Sequence, residues 1–379
     1  MTKRIVVLGG GTAGTMVANK LARQLSAPIG NKEVEVTLVS NAEKHIYQPG
    51  YLYIAFNEKM PEHFVRKEKE LVHRNVNLVF DDVVRIDSEA NKLVSDKASY
   101  PYDYLVVATG SYPDFDSIPG LKEAAHDFYT LEGAIKLRDA LASFEGGTIL
   151  LTVDVPHKCP AAPLEITLMM EDYFARRGIR DRVKIVYTYP INRIHSLEPI
   201  ARWAEPAFEK RNIIAETFFN LEKIDPERKV AITMDGEEHA FDLLISVPAH
   251  KGAPVILNSG IGDETGFIPT DRYTLKMEGS DNIYVIGDAT NLPISKAGST
   301  AHYQSETLVP NLISRINGIS ETAHYNGKVA CFLENSLHDA SMITFDYTHP
   351  PQPATTSELL HWFKGVYNEI YWLNVRGIM

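Results

Sequence analysis

The chain predicts an α/β fold built from two Rossmann-like dinucleotide-binding domains and a C-terminal amphipathic membrane-attachment region. Three observations carry it: a strand, glycine loop and helix at the N-terminus; two distant strands that each end in a glycine turn; and a second strand–turn–helix unit between them. At 379 residues there is chain for two or three domains of roughly 150 residues. A composition of 44% hydrophobic and 23% charged residues is that of an ordinary globular protein. The net charge of −11 excludes a broad nucleic-acid interface, which needs a basic face. Two cysteines exclude a disulfide scaffold. The start, Met1-Thr2-Lys3-Arg4-Ile5-Val6-Val7-Leu8, meets glycine before a signal-sequence core can form, and no apolar run reaches the length of a spanning helix.

The first unit opens on a β-branched run, Arg4 to Leu8, followed by Gly9-Gly10-Gly11-Thr12-Ala13-Gly14 and a helical pattern from Thr15 to Leu25. This is G-x-G-x-x-G in its strand–turn–helix setting: Gly9 for the tight turn, Gly11 for backbone approach to a pyrophosphate, Gly14 for close packing of helix on strand. The helix N-terminus presents free N–H groups and a positive dipole end to phosphates. A second strand, Glu35 to Val39, ends in Ser40-Asn41 rather than the usual ribose-binding acid. Ser40 and Asn41 can still hydrogen-bond a ribose, with Glu43 close by.

Two later segments extend the site. Tyr104 to Val107 runs into Ala108-Thr109-Gly110, and Asn282 to Ile286 into Gly287-Asp288. In this order the three motifs resemble the two-dinucleotide-binding-domain flavoproteins, which implies FAD, with the Asp288 carboxylate on its ribityl chain. Lys296-Ala297-Gly298 then starts a helical pattern to about Asn317. A helix N-terminus and Lys296 beside the flavin pyrimidine would stabilise a reduced anionic ring; a surface lysine is the alternative.

In the second unit a strand from Gly147 to Val153 and a helix from Pro163 to Arg177 flank Asp154-Val155-Pro156-His157-Lys158-Cys159-Pro160-Ala161-Ala162. Pro156, Pro160 and a cysteine stand in the turn where a nicotinamide-nucleotide site needs glycines, with Pro163 opening the helix, which argues against NAD(P)H as substrate. Cys159 precedes a helix N-terminus beside Lys158 and His157, a setting that lowers a thiol pKa; a small buried hydrophobe is the alternative. The other cysteine, Cys331, lies far along the chain, and whether the two can bridge is not legible from sequence. The run Arg66-Lys67-Glu68-Lys69-Glu70 alternates in sign and reads as a solvated helix face.

From Leu359 the apolar positions Leu359, Trp362, Phe363, Val366, Tyr367, Ile370, Tyr371 and Leu373 recur at helical spacing, with His361, Lys364, Asn368 and Glu369 on the polar side. Such a helix can lie in a headgroup layer.

With these pieces placed, the sequence resembles the sulfide:quinone oxidoreductases over nearly its whole length. The resemblance rests on Gly9 to Gly14, on Ser40-Asn41 with His45-Ile46-Tyr47-Gln48-Pro49-Gly50, and on Lys158-Cys159-Pro160 with Pro163 and Glu165. It continues through Phe241 to His250, Gly287-Asp288, Lys296-Ala297-Gly298, Cys331 and the tail from Trp362 to Glu369. It implies that hydrosulfide attacks a disulfide or short sulfur bridge between Cys159 and Cys331, and that two electrons pass through FAD to a membrane quinone while polysulfide accumulates. It implies that Gly9, Gly11, Thr12, Ala13, Gly14, Ser40, Asn41, Gln48, Pro49, Ala108, Thr109, Gly110, Gly287, Asp288, Lys296, Ala297 and Gly298 hold FAD. Lys364 and Tyr367 would bind the quinone, and Phe345 and Tyr347 are compositional candidates for the same pocket. Glu165 matches a carboxylate suggested as acid/base, or it complements the helix dipole. His195 is a weaker match and reads as a surface histidine. Many relatives carry a third cysteine before the second unit, and residues 121 to 147 contain none, so FAD is expected to be non-covalent. No metal is expected.

The expected divisions are 1–112 and 256–325 for the FAD-binding domain, 113–255 for the second unit and 326–379 for a quinone and membrane region. The expected location is monotopic on the cell membrane, without signal peptide or spanning helix; a homo-oligomer is left open. The alternatives are a type II NADH:quinone oxidoreductase, the flavoprotein subunit of flavocytochrome c sulfide dehydrogenase, and a non-catalytic FAD redox sensor.

Overall fold

The computed structural model describes residues 2–379. The chain runs through β1 (Lys3–Leu8), α1 (Thr12–Gln24), β2 (Val34–Ser40), α2 (Tyr51–Ala55), β3 (Asn77–Phe80) and β4 (Tyr104–Val107). It continues with β5 (Gly147–Val153), α3 (Ala162–Arg176), β6 (Val183–Tyr189), β7 (Ile214–Thr217) and β8 (Leu243–Val247). The last part holds β9 (Ile283–Val285), α4 (Gly298–Ile316), β10 (Val329–Glu334), β11 (Ala340–Phe345) and α5 (Glu358–Val375).

Two parallel sheets organise these elements. The first has the order β9-β4-β1-β2-β3, so that β9, from late in the chain, closes the sheet begun by β1. The second has the order β7-β6-β5-β8. Their central strands are continuous apolar runs, as strands covered on both faces must be: Ile5, Val7, Val106, Tyr284, Ile149, Leu151 and Ile245 are all buried. Both sheets are of the doubly-wound α/β kind, in which ligands gather beyond the carboxyl ends of the strands. The β10–β11 hairpin, which pairs Cys331 with Ile343, lies among α3, α4 and α5, and α5 also packs on α1.

The glycine loop is shaped by backbone contact. Gly9 has φ +111°, and a Cβ there would sit 2.4 Å from the Ala108 carbonyl oxygen; a Cβ at Gly14 would sit 1.9 Å from the Gly9 carbonyl oxygen. Gly11 differs, because a Cβ there would meet nothing within 4 Å. Protein packing therefore requires glycine at 9 and 14, while at 11 its absence of side chain keeps a space clear.

Gly14→Ala is expected to destabilise the protein by roughly 1–3 kcal/mol or more, through overpacking at a contact that cannot relax, read from its denaturant midpoint. Gly11→Ala is expected to hold the wild-type midpoint when both are measured as apoprotein, yet to lose flavin on gel filtration. Equal flavin retention in Gly11→Ala and wild type would contradict the cradle.

Candidate functional site

The turn between β5 and α3 places Cys159. Its backbone sits at φ +46°, a strained left-handed conformation for a residue other than glycine, of the kind that gathers at functional sites. Three bonds hold it there: the Cys159 N–H donates to the Lys296 carbonyl at 2.7 Å, and its own carbonyl accepts the Ala162 N–H at 3.0 Å and the Tyr129 hydroxyl at 3.2 Å. The turn is thereby stitched to the segment that leads into α4. That segment also reaches Cys331, whose Sγ lies 3.7 Å from Ser299 Oγ. Both thiols are free and half-buried and pack against the same apolar core. A charge on Cys331 would raise the pKa of Cys159, so the two cysteines share one electrostatic neighbourhood although 172 residues separate them (331 − 159).

The expected low pKa of Cys159 is not what the structure supports. Burial pushes the Cys159 thiol far above its ordinary value, with Glu165 adding to the shift; burial likewise pushes Cys331 up to about 11. The neighbours that should have activated Cys159 are occupied otherwise. His157 is buried and pushed down to about 4 by desolvation, so it is neutral. The Lys158 ammonium, also buried, donates to the Ser111 carbonyl at 3.2 Å. His195 is buried as well, not a surface histidine, with Nδ1 accepting from the Leu197 N–H at 2.9 Å.

Glu165 is buried on the first turn of α3. Its Oε1 accepts the Glu334 N–H at 2.8 Å and pairs with the ammonium of Lys364 from α5. The Lys364 Nζ lies 3.6 Å from Glu334 Oε1. The same Glu334 oxygen accepts from Tyr53 OH on α2 at 2.6 Å, and Glu334 Oε2 meets His361 Nδ1 at 2.9 Å. Burial opposes charge on Lys364, but the two carboxylates outweigh it and hold the ammonium protonated. Glu334 and His361 were not legible as site residues: Glu334 reads as the polar end of a short strand, and His361 as one residue on the polar face of the tail helix.

A second buried network meets the glycine loop. Glu68 bonds Thr15 through one oxygen and His45 Nδ1 through the other, the latter at 2.7 Å. His45 Nε2 reaches Tyr371 OH, which lies 2.8 Å from Thr12 Oγ1. Glu68, expected on a solvated face, is fully buried, because the short turn Glu68–Leu71 folds it under α1. Its carboxyl carbon lies 3.5 Å from where a Cβ of Gly10 would stand, so an acid does come to the end of β2, delivered from outside the motif. Ser40 Oγ meanwhile is bonded to Ala42, and Asn41, Gln48 and Pro49 are exposed.

The residues expected to hold FAD converge. Gly9 to Gly14, Ala108-Thr109-Gly110 and Gly287-Asp288 follow β1, β4 and β9, which are adjacent in one sheet. Gly110 and Gly287 both have φ near +70°, and no Cβ contact would arise at Gly110. The Thr109 hydroxyl is buried without a partner, and Asp288 Oδ2 accepts from Ser111 Oγ at 3.1 Å. Clear space at Gly11 and Gly110 and the unsatisfied Thr109 hydroxyl fit a dinucleotide lying across the strand ends. Lys296 is half-buried rather than a surface lysine; it donates to the Asp288 carbonyl at 2.9 Å and the Thr290 carbonyl at 2.5 Å, and burial brings it down to about 8. Ala297 caps α4 and Gly298 begins it.

On the tail helix much of the expected apolar side faces out, while two residues of the expected polar side, Lys364 and Asn368, face in; Glu369 stays exposed. Lys364, Asn368, Tyr371 and Val375 are the buried residues of α5, and Asn368 accepts from Tyr47 OH at 2.6 Å. Leu359, Trp362, Phe363, Tyr367 and Leu373 are exposed. Tyr367 lies near Phe332, with ring centroids 5.8 Å apart. Phe345 is buried in the core, and Tyr347 lies beneath the Arg272 guanidinium and edge-on to Tyr325, so neither is free to line a pocket at Lys364. No helix among the described residues is long and apolar enough to cross a membrane.

Residues 3–150 match the family described as pyridine nucleotide-disulphide oxidoreductase. The chain is 30% identical over 362 residues to the mitochondrial sulfide:quinone oxidoreductase of Dictyostelium discoideum, covering 91% of this chain and 78% of that protein. It is 25% identical over 374 residues to a type II NADH:quinone oxidoreductase of Staphylococcus aureus (strain MSSA476), covering 91% and 90%. The crystal structure of the sulfide:quinone oxidoreductase from Aquifex aeolicus shares the fold, with a TM-score of 0.88 and 20% identity over 99% of this chain and 92% of that one.

In the fully reduced protein, alkylation of both thiols by iodoacetamide is expected to climb steadily with pH up to about 10, because the thiolate forms only above that range. A plateau near pH 7, read by mass spectrometry of the labelled peptides, would show a stabilised thiolate instead.

Proposed function

Because the chain belongs to the sulfide:quinone oxidoreductase family, we propose that its Cys159 and Cys331 carry hydrosulfide sulfur while two electrons pass to a quinone at α5. The observation that carries this is the meeting of the only two cysteines at one core face, walled by Glu165 and Lys364. The fold is that of the FAD-binding oxidoreductases, and FAD, when bound, supplies the two-electron store between the sulfur and quinone half-reactions. The glycine loops at the ends of β1, β4 and β9 would hold it.

The high thiol pKa values suit an oxidised resting pair. With Cys159 and Cys331 joined directly or through sulfur, no thiolate needs to be stabilised until hydrosulfide attacks. Attack forms an S–S bond to one cysteine and breaks the bond to the other, which leaves as a thiolate. Two nearby groups bear on that moment: Lys364 lowers the pKa of both thiols, while Glu165, whose own pKa is raised by burial, can take up the hydrosulfide proton. The left-handed backbone of Cys159 fixes where its sulfur points without relying on a mobile loop. For a type II NADH:quinone oxidoreductase, the turn from Asp154 to Ala162 would have to admit a second pyrophosphate; Pro156 and Pro160 replace the glycines that close approach requires.

The outward apolar strip of α5 supports attachment to a bilayer surface. An ordinary surface helix buries its apolar stripe and shows its polar one. Here Lys364 and Asn368 face the protein and Leu359, Trp362, Phe363, Tyr367 and Leu373 face out, which places an aromatic-rich apolar strip where lipid and quinone would be met. Lys364 and Tyr367, on adjacent sides of this helix, would bind the quinone head.

In anaerobic stopped-flow, sulfide but not NADH is expected to bleach the flavin, and quinone to restore it. Cys159→Ser should retain flavin and slow bleaching by at least about a hundredfold, because hydrosulfide then has no S–S bond to attack; bleaching at the wild-type rate in that variant would remove the thiol relay. The double substitution Trp362→Glu, Phe363→Glu is expected to abolish co-sedimentation with liposomes without releasing flavin. Unchanged co-sedimentation would refute attachment through α5.

A further inference from the structure

The ion pair of Glu165 and Lys364 is one end of a longer chain of contacts. Lys364 Nζ faces Glu334 Oε1 at 3.6 Å, Glu334 Oε2 meets His361 Nδ1 at 2.9 Å, and the His361 side chain keeps 31% of its surface exposed while Glu334 has none. Four ionisable groups thus run from the thiol pair to solvent, from α3 through α5 and β10 and back to α5. We propose that His361, Glu334 and Lys364 form a proton line that connects solvent to Glu165 and to the quinone site beside Lys364, an inference that rests on the function proposed above.

The stoichiometry requires such a line. Oxidation of hydrosulfide to the level of elemental sulfur releases one proton and two electrons, and reduction of a quinone to its quinol takes up two electrons and two protons. One proton per turnover must therefore enter from water. The hydrosulfide proton can leave through Glu165, the residue at the sulfur end; the second must come from the other end of the line. Its chemistry suits the task at each position. His361 is held by the Glu334 carboxylate with a pKa above its ordinary value, so it collects protons near neutral pH. Glu334 accepts from it and also from Tyr53 OH. Lys364, with three donor hydrogens, spans Glu334 and Glu165 and can pass a proton to either the carboxylate or the quinone, to be reprotonated from Glu334. The groups that act electrostatically on His361 are Glu334 from β10, Lys364 from its own helix and Asp339 from the turn before β11; Glu165 and Tyr53 face the line farther in. A purely structural ion-pair network would have no need of a half-exposed, titratable histidine at its end.

His361 and Glu334 touch neither thiol nor quinone in this scheme and act as positioning residues, so the test must separate proton delivery from folding. Flavin-loaded enzyme is reduced by sulfide in one arm and by light in the other, then mixed with a water-soluble quinone. In His361→Asn, which keeps a hydrogen bond to Glu334 but cannot carry a proton, flavin reoxidation is expected to slow about tenfold or more and to recover on addition of imidazole. Reduction by sulfide should change by less than about twofold. Glu334→Gln should slow reoxidation similarly, and in its flavin-loaded form the NMR titration of His361, identified by its loss in His361→Asn, should move down towards that of a free histidine. Reoxidation at the wild-type rate in both variants, or a loss that imidazole does not restore, overturns the proton line. The failure of the underlying function looks different: wild-type flavin that sulfide does not bleach removes the substrate while the light-reduced arm still tests the line. Wild-type enzyme that quinone does not reoxidise removes both.

Discussion

A single buried cation, Lys364, holds the functional half of this molecule in register. Its ammonium is shared between Glu165 on α3 and Glu334 on β10, so one side chain from the last helix ties the helix behind Cys159 to the strand that carries Cys331. Desolvating three ionised groups is costly, and the arrangement endures because each finds its partner: the two carboxylates share Lys364, and Glu334 also holds Tyr53 and His361. Removing one member of such a set leaves an unpaired buried charge, which costs about 3–5 kcal/mol. The contact is thus a constraint as much as a source of stability: α5 cannot dock in another rotation without stranding these charges.

That constraint explains the unusual exposure of the tail helix. Once Lys364 is committed inward, Asn368, Tyr371 and Val375 follow at helical spacing, each with a place to go. Asn368 meets Tyr47, Tyr371 meets Thr12 and His45, and the Val375 carbonyl accepts from Asn19 at 2.8 Å. The remaining faces of the helix carry Leu359, Trp362, Phe363, Tyr367 and Leu373 outward. The same docking links the two buried networks, because Tyr371 belongs to the Glu68–His45 network at the glycine loop while Lys364, two turns earlier, joins Glu165 to Glu334.

Much of the dinucleotide site was legible because its requirements are local. A turn that must bring backbone within 2.4 Å of where a Cβ would stand admits only glycine, and the demand is written in adjacent residues. The placement of Cys159 at the former nucleotide turn was legible for the same reason. Its protonation was not, since a thiol's pKa depends on what surrounds it in space: Lys158 and His157 are neighbours in sequence, but one is engaged by Ser111 and the other is neutral. Glu68, Glu334 and His361 were illegible on similar grounds. A charged residue in a charged run, or at the end of a strand, gives no sign that distant partners will bury it.

The sequence by itself determined the two α/β units, the dinucleotide loop, the loss of the second glycine loop and the family to which the chain is similar, because each follows from residue type at fixed short spacing. Only the tertiary structure decided which face of the last helix turns inward, which carboxylates enclose Lys364, and that the thiols prefer to be protonated. Those outcomes depend on desolvation and on charge pairing between residues on different elements, as Lys364 with Glu334 and Glu165, and no local pattern records them.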